Sequence, residues 1–449
     1  MMHKEGKDSL TLVATGDSLI TRRMSVYGET DMVRIIRNAD VSFTNCEITI
    51  HDFKGYPETE RGPTSMVAES HIAEELRWIG FNIVSRANNH CWDYGPEGLF
   101  ATSENLQRAG LVHAGAGKNL GEARSPAFLD TAKGRVALIS AYAIELGGEL
   151  TQNGMAGETR PDIQGRPGFN PLRYELYHLV EPELINSLKE VSDKLEFGER
   201  YQTPHWLRSL PVDKRPKGFW FLRKRFADAG GEPMGIRTEA YGPDREGNLK
   251  WIRDAAGRSD FVIVGFHSHA HSARPEVPDQ PGSFLQPFAR ASIDAGADAF
   301  IGHGPHVLHG IEIYKGKPIL YSLGNFILQH SALKKVPADI YEEYGLGLDA
   351  TPFDYARARI RPLERHKGAA WESVIAQCRY EESRLAELNL YPINLDESKL
   401  DQDIGTPKLA DENRGRKIIE RLQKLSDPYG TEIIFDHGVG RIKIGKETV

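Results

Sequence analysis

An α/β fold is what this sequence of 449 residues predicts, and three observations predict it. Short apolar runs of strand length recur along the chain and end in polar residues. Segments with apolar residues three or four apart separate those runs, as amphipathic helices do. Residues able to ligate a metal stand just past several of the runs, and open α/β sheets collect their chemistry at strand ends.

The strand-like runs are Leu10 to Thr15, Val41 to Phe43, Ile83 to Ser85, Val136 to Ala141, Phe261 to Phe266, Ala299 to Ile301 and Ile319 to Ser322. Between them, Ser70 to Ile79 places Ile72, Leu76 and Ile79 at helical spacing. Glu97 to Ala109 does the same with Phe100 and Leu106, and Gly110 stops it. From about Glu145 to Asn248 the alternation is lost among Gly- and Pro-rich stretches around a helix at Pro182 to Leu195, so residues 145–248 read as an insertion. Within it, the basic and aromatic stretch Lys217 to Phe226 reads as an amphipathic packing helix. The core is expected over residues 8–330, with residues 331–449 an α/β extension packed on it. That extension contains helix-like segments at Trp371 to Leu390 and Asn413 to Leu425 and a strand pattern from Thr431 to Ile444.

Composition narrows the function. With 40% hydrophobic residues, 27% charged residues and a formal charge of −7, the chain lacks the basic footprint of a nucleic-acid binder. Cys46, Cys91 and Cys378 are too few and scattered for a disulfide framework or a thiolate zinc cluster. No run approaches the roughly 20 apolar residues of a membrane span, and no signal-peptide core precedes Leu10, so a cytoplasmic protein is expected.

Five strand ends carry the candidate chemistry. Gly16-Asp17 and Asn45-Cys46-Glu47 each present a carboxylate, a hard ligand for a divalent ion. Asn88-Asn89-His90 offers an amide oxygen and a proton-carrying imidazole from one turn. In His267-Ser268-His269-Ala270-His271, the i, i+2 pair His267 and His269 faces one side if the strand continues, which suits chelation. Gly302-His303-Gly304-Pro305-His306 adds two imidazoles in a loop stiffened by Pro305. A sheet that lines up these ends brings Asp17, Glu47, Asn89, His90, His267, His269, His303 and His306 to one place.

The order of these motifs resembles the bacterial capsule-synthesis CapA family, the poly-γ-glutamate biosynthesis proteins, whose fold belongs to the calcineurin-like metallophosphatase group. The resemblance spans about Leu10 to Gln329. It rests on Gly16-Asp17, Asn45-x-Glu47, Ala87-Asn88-Asn89-His90, His267, Gly302-His303-Gly304-Pro305-His306-Val307-Leu308 and Ser322-Leu323-Gly324-Asn325-Phe326. It implies a four-layer α/β/β/α sandwich with a metal centre at one edge of the sheets. By analogy, Asp17 binds a first ion, Glu47 bridges, Asn89 and His267 bind a second, and His303 and His306 divide between them, with His90 beside the scissile group. The sequence departs from the metallophosphatases at Leu19, where they carry a histidine. It departs again at Glu47, which replaces an aspartate, and in the two-residue spacing of His303 and His306. One or two ions are therefore expected, and zinc, manganese or iron suits ligands without thiolates.

The function that follows is a metal-dependent hydrolase, in which a metal-activated water attacks a small-molecule or peptide substrate carrying negative charge, a phosphoester or a γ-glutamyl amide. Asp17 and His90 are its catalytic pair, with Arg22, Arg23, Arg86 and Asn325 as candidate substrate contacts. A metal-assisted epimerase or isomerase moving an α-proton is the alternative within catalysis. A non-enzymatic capsule or polymer assembly component is the alternative outside it.

Overall fold

Leu10–Leu19, ten residues with only Thr11 less than fully buried among those after Leu10, forms the strand around which the first sheet is built. In the computed structural model, which describes residues 9–58, 65–146, 154–198, 203, 218–271, 280–330, 333–363, 368–395 and 403–444, two ten-stranded sheets dominate. The molecule is a mixed α/β protein, as its alternating runs predict.

In the first sheet, Leu10–Leu19 pairs in parallel with Val41–Cys46, which pairs with Ile83–Ser85. The other edge of Leu10–Leu19 is shared. Its first half pairs antiparallel with Glu372–Glu381, and its last three residues pair in parallel with Asn325–Leu328. The second sheet places Phe261–His267 between Gly134–Glu145 and Ala299–His303, all parallel.

Period-two alternation sends one set of side chains from each sheet into a common core. Leu12, Ala14, Phe43 and Ile83 of the first sheet pack with Leu138, Ile263, Ile301 and Leu320 of the second. The opposite faces take helices. Ile36, Ile72, Leu76 and Ile79, from Asp31–Arg37 and Ile72–Ile79, join Val13 and Val84. Leu249, Ile252, Phe288 and Ile293, from Gly242–Arg258 and Leu285–Asp294, join Ile139, Val262 and Phe300.

Two stretches fold differently from their sequence pattern. Trp371 to Leu390 is not a helix: Glu372–Glu381 and Arg384–Leu395 form a hairpin, turned by Glu382 and Ser383 at φ of 49° and 65°. Its apolar residues satisfy a helical period locally, but pairing with Leu10–Ala14 overrides local preference. The described part of Lys217 to Phe226 is likewise a hairpin, Phe219–Phe221 with Lys224–Asp228, turned at Leu222-Arg223 by two left-handed residues. The stretch from 145 to 248 rejoins the second sheet through Pro171–Val180, which pairs in parallel with Gly134–Glu145.

Gly16 lets the first strand touch the turn that precedes Asn325. A Cβ there would lie 1.8 Å from the Gly324 carbonyl oxygen, the atom that accepts from the Asp17 N–H at 3.0 Å. Gly16→Ala is expected to destabilise the fold by about 3 kcal/mol or more. Gly257→Ala, on an open helix face, should cost nothing. Urea denaturation of the two variants beside the parent checks this.

Candidate metal centre

Four elements of the two sheets deliver the cluster. Asp17 lies near the end of Leu10–Leu19, Glu47 just past Val41–Cys46, His267 at the end of Phe261–His267 and His303 at the end of Ala299–His303. Register fixes the two histidines side by side, since His267 is the parallel partner of His303. All four are inaccessible to solvent or nearly so.

Their atoms form three overlapping groups: Asp17 with His267 and His303, Glu47 with His267 and His269, and Asp17 with Glu47 and His306. His267 Nδ1 lies 2.9 Å from His303 Nδ1 and 3.9 Å from Asp17 Oδ1. On the other side of the ring, Nε2 lies 3.0 Å from His269 Nε2 and 3.5 Å from Glu47 Oε1. His306 reaches both acids, at 3.7 Å from Asp17 Oδ2 and 3.8 Å from Glu47 Oε1. It does so from a left-handed backbone, φ 60°, which a non-glycine residue adopts only when its surroundings hold it.

These residues fit a divalent ion. Nitrogen ligands about 2.0–2.1 Å from zinc stand roughly 3.0–3.4 Å from one another, close to the separations seen here. Among the described residues, neither oxygen of the buried Glu47 carboxyl nor Nε2 of His303 has a hydrogen-bond partner, although buried polar atoms are nearly always paired. The donor set of carboxylate and imidazole, without thiolate, matches zinc, manganese and iron alike.

Protonation follows from the burial. Burial pushes the Asp17 carboxyl up to about 7, although Asn45 and the Gly304 N–H donate to it. Burial, reinforced by the charges of Asp17 and Asp93, holds Glu47 well above the usual carboxylate range. Burial also keeps His303 down near 3, and burial with neighbouring imidazoles keeps His267 and His269 well below the usual histidine value. The imidazoles are therefore neutral at neutral pH, with lone pairs available, while the acids must shed protons to bind a cation. Metal affinity is expected to rise about tenfold from about pH 6 to about pH 8 from Asp17 alone, with Glu47 adding to the slope. Competition titration against a chromophoric chelator measures it, and affinity flat across that range would contradict it.

The remaining candidates are placed as follows. His90 is buried and its Nδ1 lies 2.6 Å from Asp93 Oδ2, while Asn89 beside it is half-buried. Asn325 is buried, its Oδ1 2.8 Å from His306 Nδ1 and its Nδ2 donating to the carbonyls of His306 and Ala370. It orients His306. Arg86 is buried, and its guanidinium donates to the Leu99 carbonyl and to Ser103. Arg23 is exposed past the first strand, and the half-buried Arg22 donates its backbone N–H to Gln329 Oε1. His271 is exposed and stands outside the three groups.

Sequence reasoning passed over three residues that hold the centre together. Asn45 donates to Asp17 Oδ1 at 2.8 Å and stands 3.3 Å from His267 Nδ1. Asn88 donates to Asn45 Oδ1 and to the Cys46 carbonyl, and its own oxygen accepts from the His90 N–H. Asp93 fixes His90. The signal for Asn45 was its i, i+2 relation to Glu47, and for Asp93 the i, i+3 spacing from His90.

Comparison with known proteins gives the same motifs a lineage. Residues 11–330 match the family described as bacterial capsule synthesis protein PGA_cap. An uncharacterized protein of Sinorhizobium fredii, y4sH, is 37% identical over 97% of this chain and 94% of its own length. The PGA biosynthesis protein CapA of Bacillus subtilis is 31% identical, covering 74% of this chain and 66% of that protein. The capsule biosynthesis protein CapA of Bacillus anthracis is 23% identical, covering 72% and 61%. No helix among the described residues is long and apolar enough to cross a membrane. With a family match across most of its length and its candidate ligand groups inside the matched region, the chain belongs to the bacterial capsule synthesis protein family, PGA_cap.

Proposed function

We propose that this protein is a metal-dependent hydrolase with the α/β/β/α arrangement of the metallophosphatases, acting on an anionic phosphoester or γ-glutamyl amide. The observation that carries this reading is the cluster of the buried Asp17, Glu47, His267 and His303 with the half-buried His269 and His306, in which both Glu47 oxygens have no hydrogen-bond partner among the described residues. Buried titratable groups whose proton affinities are displaced this way cluster at functional sites. The relatives' names, capsule and PGA biosynthesis, support a glutamyl polymer or its fragments as the substrate class.

Asp17, His267 and His303 would hold an ion through His267 Nδ1, or Glu47, His267 and His269 would hold it through His267 Nε2, because a neutral imidazole offers one lone pair, with His306 between the acids in either case. A bound divalent ion supplies Lewis acidity toward water and toward a substrate oxygen. His90 handles the leaving group. Asp93 engages its Nδ1, which leaves Nε2 to exchange a proton with the departing atom. Burial of the cluster excludes bulk water from the acids, strengthening each electrostatic contact. Residues 8–330 form the working core in this reading, and residues 331–449 support it, as the Ala370 carbonyl does by accepting from Asn325.

Elemental analysis of protein purified without chelator, followed by an activity screen over phosphoesters and γ-glutamyl peptides with Asp17→Ala as control, tests the proposal. Bound metal and turnover that both vanish in the variant are expected. Protein that takes up no zinc, manganese or iron would sink it. Solvent deuterium entering an α-position without bond cleavage would replace it with the epimerase. The name polyglutamine synthesis accessory protein, carried by a relative in Mycobacterium tuberculosis, favours the non-enzymatic role as the next reading. Function that survives loss of both Asp17 and His267 would establish that role.

A further inference from the structure

We propose that residues 154–169, an arm of the 145–248 insertion, position His90 against the metal centre, with Gly154 and Trp92 as the contact through which they do so. This rests on the hydrolase reading above and gives the insertion its part in it.

His90 sits in a turn, residues 88–94, that runs straight into the helix Gly95–Arg108. Asn88 ties this turn to the strand that leads to Glu47. Its amide donates to the Cys46 carbonyl at 2.9 Å, and its oxygen accepts from the His90 N–H at 3.1 Å. The arm grips the same turn two residues beyond His90, at Trp92. Gly154 lies so close against that side chain that a Cβ there would come within 2.4 Å of both Trp92 Cβ and Cγ. Its φ of 88° is a second reason for glycine at this place. Met155 and Phe169 of the arm pack in one apolar cluster with Ala87, Cys91 and Trp92, the residues on either side of Asn88-Asn89-His90.

The arm also reaches the ligand side. The Phe169 ring meets the Tyr142 ring edge-on with centroids 5.1 Å apart, and Tyr142 meets the His267 ring in the same manner at 5.4 Å. Hydrogen bonds make the arm one unit. The Phe169 N–H donates to the Gly154 carbonyl at 2.8 Å, the Ala156 N–H donates to the Phe169 carbonyl at 3.0 Å, and Phe169 pairs with Ala116. A single braced piece thus touches both the turn that carries the proton-transfer group and an aromatic ring packed on the ligand His267. Misplacing a reacting group by about 1 Å costs about 100-fold in rate, so a contact that sets this spacing matters to the reaction without touching substrate. Gly154 and Trp92 are positioning residues.

The test compares full-length wild type, Gly154→Ala, His90→Gln and the double variant, with Ile163→Ala at the exposed tip of the arm as control. Turnover of bis(p-nitrophenyl) phosphate and of γ-glutamyl p-nitroanilide is read on manganese-loaded protein, and manganese affinity by calorimetry. Gly154→Ala should lose about tenfold or more in turnover with manganese affinity unchanged. In the His90→Gln background it should cost nothing further, because a residue that acts through His90 has nothing left to position. Ile163→Ala should match wild type. An equal loss in both backgrounds, or manganese affinity falling together with turnover, overturns the proposal.

Amide hydrogen exchange of metal-free protein judges the same contact without a substrate. Exchange in a peptide covering residues 87–94 should rise about tenfold or more in Gly154→Ala, while one covering residues 261–267 stays unchanged. No change at residues 87–94, or an equal rise in both peptides, refutes the assignment. If wild type turns over neither compound, the hydrolase reading fails, and the exchange result still decides whether the arm sets the His90 turn. Should Gly154→Ala misfold, Met155→Ala, which thins the same cluster without backbone strain, replaces it in both measurements.

Discussion

Glu47→Gln is expected to weaken divalent-metal binding by at least about 100-fold while leaving the metal-free protein as stable or more so. Partners outside a ligand set already contribute about 10–100-fold to metal affinity, so loss of a ligand carboxylate sets the lower bound there. The stability side follows from the same atoms. Neither Glu47 oxygen has a hydrogen-bond partner among the described residues, and a buried unsatisfied polar group costs about 1–3 kcal/mol. An amide of the same shape cannot shed a proton to ligate a cation, and its NH₂ can donate to a neutral imidazole. His267 Nε2 stands 3.5 Å from the oxygen it replaces. Calorimetric metal titration and thermal melting of chelated protein read the two effects. A packing role for Glu47 would instead show metal affinity unchanged and a lower melting temperature.

The second large effect concerns proton transfer. His90→Gln is expected to lower turnover by about 10²–10⁴-fold with metal content unchanged, the range that a positioned acid or base contributes. Asp93→Asn should reproduce much of that loss, because Asp93 Oδ2 lies 2.6 Å from His90 Nδ1 and sets which ring nitrogen faces the substrate. Asp93 Oδ2 also accepts from the Met66 N–H at 2.6 Å, a bond the amide oxygen of asparagine can keep. The chain should therefore fold. Steady-state kinetics on the substrate found in the screen, beside elemental analysis, decides the matter. Full turnover in His90→Gln would remove His90 from the chemistry.

Much of this candidate ligand set is visible in the sequence for a physical reason. Asp17, His267 and His303 each terminate a run apolar enough to be buried, and a parallel sheet aligns such ends along one edge. The supporting residues were less visible. Asn45 and Asn88 look like turn residues, and what distinguishes them is a partner far away in sequence, such as His267 at 222 residues from Asn45. The hairpin at Glu372–Leu395 shows the reverse failure. Its local spacing resembled a helix, and only the open edge of Leu10–Ala14 made a strand the better partner.

By itself, then, the sequence determined the alternation of elements, the strand ends that carry carboxylates and imidazoles, and the family to which those motifs belong. Hydrophobic periodicity and strand termination are properties of a few consecutive residues, so they survive without a structure. The tertiary structure alone decided which nitrogen of His267 faces His303 and which faces His269, and that Asp17 accepts from Gly304 across 287 residues. It also decided that Glu47 stays buried without a hydrogen-bond partner among the described residues. Those outcomes depend on the register and packing of two sheets against each other, which long-range burial sets and no local pattern encodes.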